Sequence, residues 1–417
     1  PEREELPSTV GLPQRIFSID LLRGFAVLGI LLMNIRAFAG PDIGYFNPPE
    51  LGSDSLWNRI AYYFTHIFAD QKFMGLFSIL FGAGIILLSR SLHERGRSII
   101  STLSLRYFCL FLIGLAHFFL LWERDILAIY ALCALPLLFL IRLPAAGQFG
   151  LGLFIFFLPI LFDVSIQGSL DSMHEDSRDS LSGFWHPSEE TLEADKALHL
   201  GAWSEQIRER WESETSADAN RGEGLLTASL RGGLFARSQG MMLIGMAFFR
   251  WNILSAKRSA RFYRRFVWIG FGLGIPLALY GLEGNLYNEY AWKYSMFLGR
   301  IPNHLATIPI AVGYVGLVML WSQSNSWIHL RTVIARVGRV ALTCYLGQTV
   351  LGIFIFSGIG LGLYGPADYL EQLGYVAVIC ILQIILASFW LNLFRYGPLE
   401  WVWRKPSTGV SKPPPST

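Results

Sequence analysis

The sequence predicts an all-α protein, a polytopic transmembrane helical bundle of about 10 spans, each close to bilayer length, with one large extracytoplasmic loop. Three observations carry that expectation. Of 417 residues, 53% are hydrophobic and only 16% charged, against roughly 25% charged in an ordinary soluble domain. Apolar windows of roughly 20 residues, enough to cross a hydrocarbon core about 30 Å thick, recur along the chain. Lys and Arg collect in alternate loops, as cytoplasmic loops do. The aromatic share of 14% fits the same class, because amphipathic rings are favoured where bilayer meets water.

The windows run in order. The first, 20 to 39, lacks a small-residue cleavage site and reads as a span rather than a removable signal. Residues 54 to 70 are aromatic but interrupted by Arg59, an interfacial helix leading into the second span, 71 to 89. The third and fourth, 105 to 122 and 126 to 143, are joined by a turn too short for anything but a helical hairpin. The fifth is 147 to 164. The sixth to tenth are 233 to 250, 266 to 283, 302 to 321, 337 to 359 and 371 to 394, the eighth opened by Pro302. The domain expectation follows: a cytoplasmic segment 1–19, helices 1 to 5 over 20–164, the loop 165–232, helices 6 to 10 over 233–404, and a disordered tail 405–417 rich in Pro, Ser and Lys. Within the loop, Ala197, Leu200, Trp203, Ile207 and Trp211 recur at helical spacing, predicting a surface helix over 191–212.

Charge placement sets the orientation. Arg90, Arg95, Arg97 and Arg106 flank one loop, and Arg250, Lys257, Arg258, Arg261, Arg264 and Arg265 flank another. Both fall on one side, which the positive-inside rule makes cytoplasmic, together with both termini. The expected location is the bacterial cytoplasmic (inner) membrane. A net charge of +3 is too mild to imply nucleic acid. Cys109, Cys133, Cys344 and Cys380 lie in apolar runs without C-x-x-C spacing, which argues against a disulfide framework and structural zinc. No H-x-x-x-H or H-E-x-x-H spacing occurs, so no metal is expected.

Ionisable residues inside a membrane cost about 2.5 to 3.5 kcal/mol each at mid-helix on insertion scales and mark candidate sites. Asp20 and Arg23 share a helix face, as an ion pair at a helix start or as contacts to a bound group. Arg106, Arg336 and Arg339 stand near the same side. Toward the other side stand His66, Asp70 and Lys72, then His117 with Glu123, Arg124 and Asp125, and then Arg300, Asn303 and His304. His117 lies inside an apolar run, so an imidazole there serves as a base or as a hydrogen-bonded packing residue, and a nearby carboxylate fixes its tautomer. Asn34 and Gln348 need polar partners inside the bundle. The glycines of Leu80-Phe81-Gly82-Ala83-Gly84 read as helix-packing positions. The run Arg395 to Arg404 reads as aromatics and charges at an interface.

Several segments resemble the YeiB-like bacterial membrane proteins. These are Ile19-Asp20-Leu21-Leu22-Arg23-Gly24-Phe25 through Asn34-Ile35, Lys72-Phe73 through Gly84, His117 with Trp122 and Asp125-Ile126-Leu127, Gly338-Arg339 with Ala341-Leu342-Thr343 and Tyr345, and Gly397-Pro398-Leu399-Glu400-Trp401. That family carries a domain of unknown function and is similar, distantly, to the transmembrane acyltransferase superfamily of heparan-α-glucosaminide N-acetyltransferase. The resemblance implies transfer of an acyl group from cytoplasmic acyl-CoA, acetyl-CoA first among them, to an extracytoplasmic hydroxyl or amine, a glycan included. It makes Arg23, Arg106, Arg336 and Arg339 candidates for the CoA phosphates, with Asp20 beside Arg23 in the same cofactor site. It makes His117 the base, Asp125 its orienting carboxylate, and Asn34 or Gln348 the oxyanion donors. In the lysosomal enzyme the histidine regarded as catalytic follows the first conserved span, where the nearest candidate here is His66. Membrane lipid, a small-molecule or glycan acceptor and a second copy in a homodimer are the expected partners. The alternative is a membrane transporter or lipid flippase for a small organic or lipid-linked substrate, since polar residues on both sides of a bundle also line an alternating-access path.

Overall fold

The computed structural model describes residues 16–51, 55–215, 221–365 and 368–408. Residues 1–15 of the expected cytoplasmic segment and 409–417 of the tail expected to be disordered lie outside them, whereas 405–408 of that tail are the end of a helix. Among the described residues the chain forms helices and no strand. The first group is α1 (Phe17–Ala39), α2 (Ile43–Phe46), α3 (Leu56–Phe68), α4 (Lys72–Glu94), α5 (Ile99–Leu120), α6 (Leu127–Leu137) and α7 (Ala145–Ser169). Then come α8 (Glu175–Trp185), α9 (Glu189–Leu200), α10 (Trp203–Thr215), α11 (Arg221–Arg250), α12 (Ala260–Tyr287) and α13 (Trp292–Ser295). The last are α14 (Ile301–Gln323), α15 (Ile328–Arg339), α16 (Ala341–Phe356), α17 (Tyr369–Leu393) and α18 (Pro398–Thr408).

Among the described residues, seven helical segments are long and apolar enough to cross a membrane, or eight if the pair α15 and α16, bent by 84°, is one span. All ten apolar windows fall on helices, and two of them account for the lower number. The window 126–143 becomes α6, whose 11 residues rise only about 16 Å at 1.5 Å each. Pro136 stands near its end, and turns follow to residue 142. The window 233–250 is the apolar half of α11, which packs against α7 and α4. Met241 through Phe249 are largely enclosed by protein. Residues 56–68 form α3, which continues through a break at Asp70 and Gln71 into α4 as one 39-residue stretch.

Close helix crossings rest on glycine. A Cβ on Gly82 would meet the Met242 carbonyl oxygen at 1.9 Å, and one on Gly245 the Ile79 carbonyl oxygen at 2.0 Å. This reciprocal contact brings α4 against α11. Another joins α1 to α15, where a Cβ on Gly24 or on Gly338 would lie 1.9 Å from a backbone oxygen of the other helix.

The large loop is folded. The helix expected over 191–212 is two helices, α9 and α10, separated at Gly201. Ser188 caps α9 by accepting from the Thr191 amide at 3.2 Å. At its other end the His199 ring stacks on Tyr364 at 4.1 Å, and the Gly358 amide donates to the His199 carbonyl at 3.1 Å. The Tyr364 hydroxyl donates to Asp195 at 2.5 Å. Burial first, and the Asp195 carboxylate next, push that hydroxyl above its ordinary pKa. The Trp185 indole of α8 is buried and donates to the Tyr290 carbonyl at 2.8 Å. These contacts fasten the loop over the end of the bundle where α1 finishes.

Candidate functional site

His117 closes α5, and the chain turns at once, with the amides of Leu121 and Trp122 both donating to the His117 carbonyl. That tight return places Asp125 beside the imidazole. Nδ1 lies 2.7 Å from Asp125 Oδ1, and both side chains are fully buried. The other carboxylate oxygen accepts from the Ala128 amide at 2.9 Å, at the start of α6. A Cβ on Gly114 would lie 2.3 Å from the Ala128 nitrogen and 2.9 Å from Asp125 Oδ2, so only glycine lets α5 and α6 come this close. Because a carboxylate accepts but does not donate, Nδ1 carries the hydrogen. Nε2 is then an acceptor, and it faces Thr349 Oγ1 at 3.0 Å from α16. Asp125, His117 and Thr349 thus form a buried line of carboxylate, imidazole and hydroxyl.

A cavity of about 180 Å³ runs toward this line from the end of the bundle where α1 begins. Its mouth carries Arg23, Arg106, Arg339 and Arg404, and its throat is apolar, with Phe77, Leu80, Phe81 and Leu110. At its inner end are Ile126 and Tyr345. The Tyr345 ring lies 5.7 Å from His117, and its buried hydroxyl lies against the Ile126 backbone. On the far side of the imidazole, Trp122 packs against Phe38 at 4.3 Å between ring centres.

Asp20 sits beside the mouth rather than on its wall, accepting from Arg23 at 3.1 Å. Arg106 stacks on Trp403 at 3.9 Å, and the Trp403 indole donates to the Arg106 carbonyl at 2.9 Å. Arg339 lines the cavity, but Arg336 turns away, its Nη1 3.5 Å from the Ser388 carbonyl oxygen. Glu400, only 4% exposed, accepts from the amides of Leu342 and Thr343 at 2.7 and 3.1 Å and from the Thr343 hydroxyl at 2.6 Å. It caps α16 just after the bend and so fixes the helix that carries Tyr345 and Thr349. Glu400→Ala is expected to lower stability by about 1 to 3 kcal/mol, measured as the thermal midpoint in detergent.

The oxyanion expectation changes. Gln348 donates its amide hydrogens to the Val27 carbonyl at 2.9 Å and to Gln383 Oε1 at 3.0 Å, and Gln383 donates to the Cys344 carbonyl at 2.7 Å. No donor remains for a substrate, so Gln348 ties α16 to α1 and α17. Asn34 is half-buried and is not among the hydrogen-bond partners of His117 or Asp125.

His66 belongs to a second polar cluster with Asp70, Lys72 and Asn303. Its Nδ1 lies 3.4 Å from Asp70 Oδ2, and Asn303 Nδ2 donates to Asp70 at 2.7 Å. The Lys72 ammonium bonds to Asn303 and donates to the His66 carbonyl at 2.8 Å. His304 is apart, its Nε2 2.8 Å from the Phe156 carbonyl oxygen. Arg36 of this cluster and Arg23 of the cavity stand about 20 Å apart along α1.

Sequence reasoning missed Thr349 and Glu400 as site residues. Thr349 gave little signal, because threonine satisfies itself within a helix. Glu400 had one, an acidic residue just after Pro398 in an aromatic run.

Apolar helices of bilayer length around buried polar side chains define a multi-pass helical membrane protein. A family model described as "Protein of unknown function (DUF418)" matches residues 248–409. The chain is 33% identical over 401 residues to "Uncharacterized protein YeiB" of Escherichia coli (strain K12), covering 94% of this chain and 96% of that protein. It is 27% identical over 407 residues to "Uncharacterized protein YxaH" of Bacillus subtilis (strain 168), covering 94% of each. The chain belongs to the YeiB-like family.

Proposed function

We propose that the protein is an acyl-CoA-dependent acyltransferase of the bacterial cytoplasmic membrane, with both termini cytoplasmic and an extracytoplasmic hydroxyl or amine, on a glycan or another small molecule, as acceptor. The observation that carries this reading is the buried Asp125–His117–Thr349 line behind Ile126 and Tyr345, the residues at the inner end of an arginine-mouthed, apolar-throated cavity. Arginines suit the CoA phosphates, and the apolar throat suits the pantetheine arm and acyl group. The Lys- and Arg-rich loops support a cytoplasmic mouth.

The hydroxyl facing His117 Nε2 is the chain's own, so transfer runs in two steps through Thr349. His117 takes the Thr349 proton as Oγ1 attacks the thioester carbonyl. The C–S bond breaks, the CoA sulfur takes the proton from His117, and an ester remains on Thr349. An acceptor O–H or N–H then gives its proton to His117, attacks the ester carbonyl and releases the Thr349 oxygen, which recovers the proton. Tyr345, whose ring lies 5.7 Å from His117, is the proposed donor to the oxyanion. A covalent intermediate lets an acyl group pass from one side of the bundle to the other without a continuous channel.

Thermal shift with acetyl-CoA and longer acyl-CoAs, with free CoA as control, tests binding. Arg23→Ala and Arg106→Ala are each expected to weaken acyl-CoA affinity about 10- to 100-fold, the loss of one charge-assisted hydrogen bond of about 1.5 to 3 kcal/mol. Arg336→Ala is expected to leave it unchanged. Intact mass after exposure to acyl-CoA should show one added acyl group that Thr349→Val removes. Binding without an adduct would leave His117 acting directly on the acceptor. No stabilisation of the folded protein by any acyl-CoA would remove the enzymatic reading.

The 84° break between α15 and α16 favours a second reading, a transporter, since such folds bind substrate at broken helices. The amides at the start of α16 are already met by Glu400, which weakens that reading. Uptake of an unmodified solute by reconstituted vesicles would support it.

A further inference from the structure

The cluster around Lys72 holds more positive charge than its own carboxylates neutralise. Lys72 is fully buried, Arg36 is 5% exposed and Arg237 9%. The three belong to one electrostatic cluster, since Arg36 and Arg237 both act on Lys72 and on Tyr45. Two carboxylates are in range, Asp70 and Asp163. Among the described residues neither lies within 4.0 Å of any of these cations. Asp70 is satisfied by neutral groups and His66 instead: the Tyr45 hydroxyl, Asn303 and the imidazole. Asp163 accepts from the Ser229 hydroxyl at 2.7 Å. Arg36 donates to the Thr65 hydroxyl and the Tyr62 carbonyl, and its guanidinium lies over the rings of Tyr62 and Tyr369 at 4.6 and 5.3 Å.

Two further features mark this place. Arg237 bonds to Gln71 through one terminal nitrogen, while its Nε is buried without a partner. Gln71, between Asp70 and Lys72, has a φ of 65°. A left-handed residue that is not glycine is strained and persists where its surroundings hold it, commonly at a binding site. A buried cation lacking a counter-ion is unfavourable, and a bound anion removes that penalty. The half-buried Arg300, in electrostatic range of Arg237, extends the positive field toward the surface.

We infer that this cluster is a binding site for a phosphate group, approached from the end of the bundle opposite the arginine-mouthed cavity. Several acceptor oxygens on one compact anion match two guanidinium groups and one ammonium better than the two oxygens of a carboxylate do. Arg237 Nε and the Lys72 ammonium are the principal donors, with Arg36 held in its tyrosine cage as a fixed charge. The site stands independently of the acyl-transfer reading.

The test uses the full chain purified in detergent, with thermal unfolding read against inorganic phosphate, short-chain phosphatidic acid and, at equal ionic strength, acetate. A saturable rise in midpoint with phosphate or phosphatidic acid, absent with acetate, is expected. A response to inorganic phosphate points to a soluble phosphorylated ligand, and a response to phosphatidic acid alone to a lipid headgroup. Arg237→Met is expected to raise the midpoint in phosphate-free buffer, because it deletes an uncompensated charge, while weakening phosphate affinity at least tenfold. Where that variant is not recovered folded, Arg237→Lys, which keeps the charge but loses the fork, should also weaken affinity at least tenfold. No saturable response, an equal response to acetate, or unchanged affinity in the folded Arg237 variants would overturn the inference and leave the cluster as a pin between helices.

Discussion

Asp125→Asn is expected to reduce the proposed acyl transfer by about 10⁴-fold while leaving the proposed acyl-CoA binding within about twofold, the pattern of an imidazole held in the wrong tautomer. The substituted side chain can still cap α6, because an amide oxygen can accept from the Ala128 amide as Asp125 Oδ2 does at 2.9 Å. Its amide nitrogen then faces His117 Nδ1, where Asp125 Oδ1 now lies at 2.7 Å. An amide N–H donates, so Nδ1 becomes the acceptor and the ring hydrogen moves to Nε2. Nε2 donates to the Thr349 oxygen instead of accepting from it, and no base remains to take the Thr349 proton. His117→Ala should lose activity at least as far, but it also opens a buried hole, so Asp125→Asn separates chemistry from packing more cleanly. The measurement is kcat for transfer alongside acyl-CoA affinity. Full activity in a folded Asp125→Asn protein would remove His117 from the role of base.

The helical class and the position of His117 were legible because hydropathy and misplaced charge are properties of the chain itself. His117 and Asp125 stand out of apolar surroundings, and the short turn between them leaves a hairpin as the physical choice. The number of crossings was less legible. Hydropathy does not distinguish a helix facing lipid from one enclosed by protein, and Met241 to Phe249 of α11 are largely enclosed. Nor does it register that α6 loosens into turns after Leu137.

The polar residues divide in a similar way. Gln348 was recognisable as needing partners, but which partners depends on α1 and α17 arriving beside it. Arg336 and Arg339 looked equivalent, yet being three apart near the end of a helix that bends by 84°, they reach different places. Thr349 is a residue any membrane helix tolerates, and only the crossing of α5 by α16 gives it meaning. The same holds for Glu400, whose function as a cap depends on α18 folding back across the bend. The two glycines of Gly82-Ala83-Gly84 diverge as well. Gly82 is in close contact with the α11 backbone, whereas a Cβ on Gly84 has nothing within 4 Å, and Gly84 lines the cavity.

That divergence sets up the second large effect. Gly338→Ala is expected to lower stability by about 3 kcal/mol or more, whereas Gly84→Ala should be neutral or slightly stabilising by its helix propensity. A Cβ on Gly338 would meet the Asp20 carbonyl oxygen at 1.9 Å and the Gly24 nitrogen at 2.7 Å. Both are backbone atoms, so no side-chain rotation relieves the clash and α1 must move away from α15. Asp20 and Arg23 lie on the α1 side of that crossing and Arg339 on the other. The displacement therefore widens the cavity mouth as it loosens the fold, and acyl-CoA affinity should fall together with the thermal midpoint. Gly84→Leu supplies the opposite combination, filling the throat without touching a helix crossing, so acyl-CoA affinity should fall while the midpoint holds. Thermal unfolding and acyl-CoA titration of the three variants in one detergent check both expectations. A Gly338→Ala protein with a wild-type midpoint would mean that α1 and α15 do not meet backbone to backbone, and the arrangement of arginines at the mouth would have to be redrawn.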